Sequence, residues 1–431
     1  MAAAAAARDG QTALALRLAK YLALQPAADD DDAADPGAAA AHGRGGNAVF
    51  SPAAVHAALA LVAAGAARGA TRDQLLAFLG APSTAALARR VSQRVLGEGR
   101  GYRTLGGPHV LFGGGVWVDD SRGGLTDAFR GIAAESYNSQ RVQTVSFTDE
   151  PKEAVKTINE SVKKATNSLI EGIVCESDVV GVATDIVLTN VVYFKGVWQH
   201  SFHPHGTWPG TFFCLNGSHT EASFMTAFGA CLDGFKVLKL PYMPWRLVMC
   251  EEVQEFRSYE ARYSMLVFLP DAHDGITAMV DVVTTAPASL QGILDQMTER
   301  TVRVKLPKFE ISFKWDDLEV DLRRLGRLGL SLPFSTEEAD LRGMCVADDI
   351  VAEGDEQQRR PMSLRKVAHM AVVKVSEAGS EGGELNSYLR GRPELTPDFV
   401  EFVADRPFTF LIQEEWSGVF VFAGHVLDPT K

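Results

Sequence analysis

The segment TDIVLTNVVYFKGVW, residues 184–198, constrains the fold of this chain more than any other stretch. It is apolar along most of its length, rich in β-branched and aromatic residues, and too short to cross a membrane as a helix. These properties are typical of a long strand that is buried on both faces. The chain must therefore build a sheet that is covered on each side.

The remaining apolar segments alternate irregularly between strand-like and helix-like patterns. Residues 234–242, 263–270 and 301–313 are predicted strands, whereas residues 150–170 form a charged amphipathic helix. We find no internal repeat and no regular βαβ rhythm. This order predicts an α+β fold with large sheets rather than a doubly wound parallel sheet.

Composition and charge argue against nucleic acid and membrane as partners and favour a cytoplasmic location. The 431 residues are 46% hydrophobic, which permits a sizeable core, and the net charge of −12 argues against nucleic acid as the main partner. No run of 18 apolar residues occurs, so no membrane span is expected. Five cysteines without CxxC spacing and a charged N-terminal helix in place of a secretion signal favour the cytoplasm. An extracellular location stays open.

Motifs for catalysis are missing from the sequence. It contains no GxSxG elbow, no HExxH and no phosphate-binding loop of the Walker type. His200, His203 and His205 form a weak candidate metal set, because no carboxylate or cysteine accompanies them. We therefore predict that the chain is not an enzyme, has no metal site and needs no cofactor. The low-complexity stretch 26–46 is expected to be an exposed insertion.

A long segment near the C-terminus, residues 375–402, lacks apolar periodicity and lies between two predicted strands. Loops of this length are uncommon in compact domains and are usually functional or disordered. The Arg390–Gly391 bond in this segment is of the kind that a trypsin-like protease cuts. On composition alone, solvated loop charge is the favoured interpretation of these arginines.

Six segments of the sequence carry a family resemblance: residues 47–80, 189–198, 233–242, 263–276, 306–313 and 402–429. Together they resemble the serpins, and in particular the plant branch of that family. The resemblance implies one domain over residues 1–431, with three β-sheets, eight or nine helices and an exposed C-terminal reactive centre loop within residues 375–402. It also implies an inhibitor whose cut loop inserts into the main sheet as a new strand. The inserting loop carries the acylated protease with it.

The resemblance also assigns roles to individual residues. It implies a hydrogen-bonded shutter beneath the main sheet, a tryptophan at the breach where insertion begins, and a hinge at the start of the loop. The shutter residues are Ser51, Asn190 and His369, and the breach residue is Trp198. The hinge residues are Glu377, Ala378, Gly379, Ser380, Glu381, Gly382, Gly383 and Glu384.

The hinge departs from the family pattern, which has a short alanine-rich run after its first five residues. If Ser380 faces the core in an inserted strand, then Gly382, Glu384 and Asn386 face it too, because side chains alternate along a strand. Each glycine adds an ordering cost of about 0.5–1 kcal/mol relative to alanine. A buried, unpaired Glu384 carboxylate is more costly still.

The length of the loop is a second departure. Cleavage after Arg390 leaves an inserted strand about three residues, or ~10 Å, shorter than the resemblance implies. Arg392 lies closer to the implied position, but Pro393 follows it and most serine proteases reject proline there. We therefore predict a monomeric, non-inhibitory or weakly inhibitory serpin that a trypsin-like protease can cut. The alternative is a working inhibitor of trypsin-like proteases with Arg390 or Arg392 as bait.

Overall fold

The structure is a computed structural model of the chain. It describes residues 2–23, 46–90, 104–105, 108–137, 142–180, 183–202, 206–227, 235–243, 246–247, 262–297, 302–325, 329–346, 361–380 and 400–431. Apart from Gly46, the predicted insertion 26–46 lies outside these residues.

Nine α-helices lie within the described residues. Ser51 caps the second one as its sequence predicts, since its hydroxyl accepts a hydrogen bond from the Ala54 amide and Pro52 occupies the first helical position. The helices are α1 (Ala2–Ala23), α2 (Pro52–Gly65), α3 (Ala70–Phe78), α4 (Thr84–Arg90), α5 (Asp127–Tyr137), α6 (Pro151–Ala165), α7 (Ile276–Val283), α8 (Pro287–Asp295) and α9 (Leu318–Arg324). None of these described helices is long and apolar enough to cross a membrane.

The described strands form three large sheets and one short strand pair. The main sheet has the order β12-β13-β14-β5-β3-β4, the second β1-β17-β16-β10-β8 and the third β15-β11-β7-β6. Those in the main sheet are β3 (His109–Asp119), β4 (Val142–Val145), β5 (Ile186–Val197), β12 (Phe309–Trp315), β13 (Leu364–Val375) and β14 (Gly379–Ser380). Those in the second are β1 (Ala48–Phe50), β8 (Phe235–Pro241), β10 (Tyr263–Pro270), β16 (Phe408–Glu414) and β17 (Val419–Val426); those in the third are β6 (Trp208–Phe213), β7 (His219–Ala227), β11 (Val302–Pro307) and β15 (Val400–Val403). The short pair is β2 (Thr104–Leu105) with β9 (Arg246–Leu247).

The main sheet contains a seam, the line along which β13 and β5 pair directly and in parallel. This pairing runs from Leu364 opposite Ile186, at the end called the base, to Val372 opposite Tyr193. Beyond Tyr193 the two strands diverge, and β14 lies between them at the opposite, upper end. The seam is thus closed below and already occupied by two residues above.

Strand β5 is buried on both faces, which confirms the expectation from its sequence. Its residues alternate between two packed clusters. Val192 and Phe194 face the main core, which continues into the second sheet. Val187 and Val191 face a smaller cluster formed with Trp117 and the apolar side of α6. The side of the main sheet that holds the large core is called the inner face below, and the α6 side is called the outer face.

Candidate functional site

The first described residues of the predicted hinge form a tight hairpin at the upper end of the main sheet. After β13 ends, the Ser376 and Gly379 backbones exchange two hydrogen bonds, of 2.8 Å and 3.2 Å. The chain then returns as β14, in which Ser380 pairs with Val375 on one side and with Gly196 on the other. Two residues of the predicted hinge, Gly379 and Ser380, are therefore already part of the main sheet.

This hairpin requires glycine at position 379. Gly379 has a φ of +149°, which L-residues rarely adopt. A Cβ atom placed on it would lie 2.0 Å from the carbonyl oxygen of Gly196 on the neighbouring strand. Any side chain at this position would push β14 away from β5.

Ser380 is fully buried on the inner face, below the hairpin. Its hydroxyl lies 2.7 Å from the hydroxyl of Tyr242, so the two share a hydrogen bond. The Tyr242 ring stacks on Trp198 with centroids 4.4 Å apart and meets Phe194 edge-on. Burial raises the pKa of Tyr242 well above its usual range, so its hydroxyl stays protonated. Ser380 thus docks onto a rigid aromatic cluster.

Trp198 holds the hairpin backbone from the β5 side. Its amide donates to the Ala378 carbonyl at 2.9 Å, and its indole nitrogen donates to the Ser376 carbonyl at 3.0 Å. The side chain is almost fully buried against Tyr242 and Phe202. The structure therefore places the predicted breach tryptophan in direct contact with the hinge.

Glu377, the first residue of the predicted hinge, is held by three groups that sequence reasoning did not identify. Its carboxylate accepts a hydrogen bond of 2.8 Å from Thr207 and pairs with the Lys308 amine at 3.1 Å. Its carbonyl accepts from the Phe202 amide at 2.9 Å. Burial alone would raise the pKa of Glu377, but its hydrogen bonds and the Lys308 charge outweigh burial and lower it. Lys308 lies inside residues 306–313, one of the six segments that carry the family resemblance. That segment was the signal in the sequence that could have identified it.

The predicted shutter residues lie together midway along the seam. His369 on β13 is opposite Asn190 on β5, and its Nε2 accepts a 3.0 Å hydrogen bond from the Ser51 amide. Burial lowers the pKa of His369 to about 3, so the ring is neutral at physiological pH. His369, which lies opposite Asn190 of β5, thus connects β13 to the start of α2.

Other predicted residues lie outside the part of the chain that the structure describes. They are the later hinge residues Glu381, Gly382, Gly383 and Glu384, the reactive-bond candidates Arg390, Gly391, Arg392 and Pro393, and His203 and His205 of the weak metal set. Within the described ranges, no group of three or more histidine, cysteine, aspartate or glutamate side chains is arranged to hold a metal ion.

Comparison with known proteins identifies the family. Residues 37–429 match the family model described as serpin (serine protease inhibitor). The chain belongs to the serpin family. The family description names an inhibitor rather than an enzyme, and the prediction that the chain is not an enzyme is consistent with it at the level of the family. The expected fold, with three large sheets, is confirmed by the described strands.

The relatives of this serpin include several cereal proteins. Putative serpin-Z5 of Oryza sativa subsp. japonica is 39% identical over 98% of this chain and 90% of its own. Serpin-Z2A of the same plant is 37% identical over 98% of this chain and 97% of its own. The solved structure of Arabidopsis AtSerpin1 in its native stressed conformation has a TM-score of 0.78 and 28% identity, and covers 99% of both chains. The expected membership of the plant branch is thereby confirmed.

Proposed function

We propose that this serpin is a poor or non-inhibitory family member, whose loop a trypsin-like protease cuts at Arg390–Gly391 without being trapped. The observation that supports this proposal is the register of Ser380, which pairs with Gly196 and faces the inner core. The register shows which loop residues would become buried if β14 grew into a full inserted strand.

The register extends in a simple way, because antiparallel partners run in opposite directions. Glu384 is four residues after Ser380, so it would lie opposite Val192, which is four residues before Gly196. On the other side it would lie opposite Ala371 of β13, by the pairing of Ser380 with Val375. Val192 and Ala371 are both fully buried in the main core.

The inserted strand would therefore place a carboxylate between two apolar neighbours. Burying Glu384 there without a partner costs several kcal/mol, whether it stays ionised or binds a proton. Gly382 and Gly383 add about 0.5–1 kcal/mol each relative to alanine. Trapping is a race between insertion and release of the cut loop, so a costly strand favours release.

By the same register, loop length limits insertion less than hinge composition does. Arg390 would lie opposite Ile186, the first residue of β5, and opposite Arg365 near the start of β13. A strand that ended at Arg390 would thus reach the base of the seam. The composition of the hinge, rather than the missing length, limits insertion.

One observation favours the alternative, a working inhibitor with Arg390 or Arg392 as bait. The sheet already accepts Gly379 and Ser380 between β13 and β5, with a satisfied hydroxyl at the buried position. Insertion has therefore passed its first step before any protease acts. The balance between this start and the cost of Glu384 decides between the two functions.

Incubation of the full chain with trypsin, followed by denaturing electrophoresis, distinguishes the two functions. We expect a cleaved chain and little product at the summed mass of chain and protease. A band at the summed mass that survives boiling in detergent, as the main product, would contradict the proposal.

Two single variants provide a matched pair for this test. Glu384→Ala removes the carboxylate that the register places in the core, and we expect it to increase trapping. Glu381→Ala makes the same chemical change on the outer face, one residue after Ser380, and should leave the ratio of complex to cleaved chain unchanged. Equal effects of the two variants would show that the register does not control insertion.

A further inference from the structure

A cluster of charged side chains lies at the base of the seam, far from the hinge. The Lys366 amine on β13 is 3.3 Å from a carboxylate oxygen of Asp178 and 3.3 Å from one of Glu319. The three side chains are only 10%, 15% and 12% exposed, respectively. Lys366 also donates to the Asp316 carbonyl. Removal of one partner from an ion pair buried this far costs much more stability than removal of one partner on the surface, because it leaves an uncompensated buried charge.

The two carboxylates that reach Lys366 belong to different elements of the fold. Asp178 lies between α6 and β5 in chain order, and its neighbour Val179 packs on the outer face with Val187 and Val191 of β5. Glu319 belongs to α9, which follows β12 in the chain and packs against β13. The Asp178–Lys366 contact therefore joins the β5 side to the β13 side, whereas the Glu319–Lys366 contact stays on the β13 side.

Asp178 is held in place independently of Lys366. The Cys175 amide donates to its second carboxylate oxygen at 2.8 Å, which closes the short turn at Glu176–Asp178. Burial alone would raise the pKa of Asp178, but the hydrogen bonds from Cys175 and the Lys366 charge lower it. The pKa of Lys366 is raised, because Glu319 and Asp178 together outweigh its desolvation. Both partners are therefore charged at neutral pH.

A second polar link crosses the seam at the same level. Asp185, next to the first residue of β5, accepts hydrogen bonds from the amide and hydroxyl of Ser363, which precedes β13. Its other carboxylate oxygen pairs with Arg122 at 3.3 Å, and both of these side chains are almost fully buried. The base of the seam is thus closed by polar contacts among residues outside the segment 375–402.

We propose that the Asp178–Lys366 ion pair is a clasp that holds the base of the seam closed and resists entry of a new strand. A strand inserted between β13 and β5 must move Lys366 away from the segment that carries Asp178. The first strand residues enter above without touching this contact, and the last ones must break it. The clasp therefore controls completion of insertion rather than its start.

The clasp deepens the proposed function, since insertion is the step on which that function rests, but its test uses no protease. The probe is a labelled synthetic peptide of residues 381–390 in which Gly382, Gly383 and Glu384 are replaced by alanine. Its association with the intact full chain is followed by fluorescence anisotropy. Failure to trap trypsin would leave this measurement unaffected.

Asp178→Asn and Glu319→Gln form the matched pair. Both neutralise one partner of Lys366 and keep an oxygen acceptor, but only Asp178→Asn removes the charge that crosses the seam. We expect Asp178→Asn to bind the peptide about tenfold faster than the unmodified chain, since ~1.4 kcal/mol off a barrier is a factor of ten in rate. Glu319→Gln should stay within about twofold of the unmodified chain. The melting temperature of each variant confirms that it is folded.

Any of three results would overturn the clasp. In the first, Asp178→Asn binds the peptide no faster than the unmodified chain. In the second, Glu319→Gln accelerates binding as much as Asp178→Asn does, and in the third no variant binds the peptide. Equal acceleration would mean general loosening of the fold rather than release of a contact across the seam. If Asp178→Asn does not fold, Lys366→Gln removes the same contact from β13 and must also accelerate binding. Unchanged binding by that variant would equally overturn the proposal.

Discussion

The two ends of the seam are closed by different kinds of contact. At the upper end, Trp198 and Tyr242 form an aromatic stack onto which the hinge residue Ser380 docks by one hydroxyl pair. At the base, Asp178 and Lys366 form a charged contact between the two sides of the seam. A strand that enters at the upper end therefore forms a hydrogen bond, whereas a strand that reaches the base must break an ion pair.

This difference suggests how a serpin sheet can be open to its own hinge and still stay closed below. Hydrogen bonds and aromatic contacts at the upper end can be remade by each residue that enters, because every new strand residue brings its own backbone groups. A buried ion pair has no such replacement, since the entering residues would have to supply a charge. Three of the four predictions below test the two ends separately and one tests two buried histidines, in order from the largest expected effect to the smallest.

Truncation of Trp198, the predicted breach residue, should have the largest effect. Trp198→Ala removes the stack on Tyr242 and the indole hydrogen bond to Ser376, and we expect a loss of about 4 kcal/mol in the free energy of unfolding. Trp208→Ala is the matched control, because Trp208 is 68% exposed, and should change stability by less than about 0.5 kcal/mol. Urea unfolding of both variants measures the difference. Similar losses would show that the upper end does not depend on the stack.

Removal of the Lys366 amine, the cation that Asp178 and Glu319 share, should destabilise the base of the seam. Lys366→Met leaves the carboxylates of Asp178 and Glu319 without it, and we expect a loss of about 3 kcal/mol. Lys374→Met is the control on the same strand, because its ion pair with Glu310 is exposed and should be worth less than about 0.5 kcal/mol. Equal losses in thermal or urea unfolding would argue against a charged contact that closes the base.

Stability should fall as the pH is lowered, because two buried histidines resist protonation in the folded chain. Burial lowers the pKa of His369 to about 3 and that of His425 to about 4, from an ordinary value of 6.5. Below pH 6.5 the unfolded chain therefore binds protons that the folded chain does not. The expected loss is on the order of 2 kcal/mol for each histidine at roughly pH 5.

Urea unfolding at pH 7 and at roughly pH 5 checks this prediction. His425 bonds Thr409 and the Ala19 carbonyl, away from the seam, so His425→Gln should remove its share of the pH dependence and leave that of His369. An unchanged pH dependence in His425→Gln would contradict the assignment.

Removal of the Ser380 hydroxyl should have the smallest effect on stability. Ser380→Ala leaves the buried Tyr242 hydroxyl without its partner, and we expect a loss of about 1–2 kcal/mol. Ser376→Ala provides the comparison, because its hydroxyl bonds the Gly379 carbonyl, which also accepts from the Ser376 amide. That variant should lose less than Ser380→Ala in thermal unfolding, and the reverse order would argue against docking by Ser380.

Much of the fold could be predicted from local sequence. The strand at residues 184–198 and the helix start at Ser51-Pro52 follow from patterns within a few residues, and both are present in the structure. The partners of Glu377 could not be predicted in this way. Thr207 and Lys308 lie 170 and 69 residues away from it, and nothing local to the hinge indicates that they meet there.

The sequence alone therefore determined the family resemblance, the long buried strand and the residue types of the hinge, because these depend on local pattern. The tertiary structure decided that Ser380 faces inward onto Tyr242, 138 residues away, and that Asp178 meets Lys366 across the seam. Side-chain partners in a sheet depend on strand register, and register depends on which strands become neighbours. That choice is made by the packing of the whole chain.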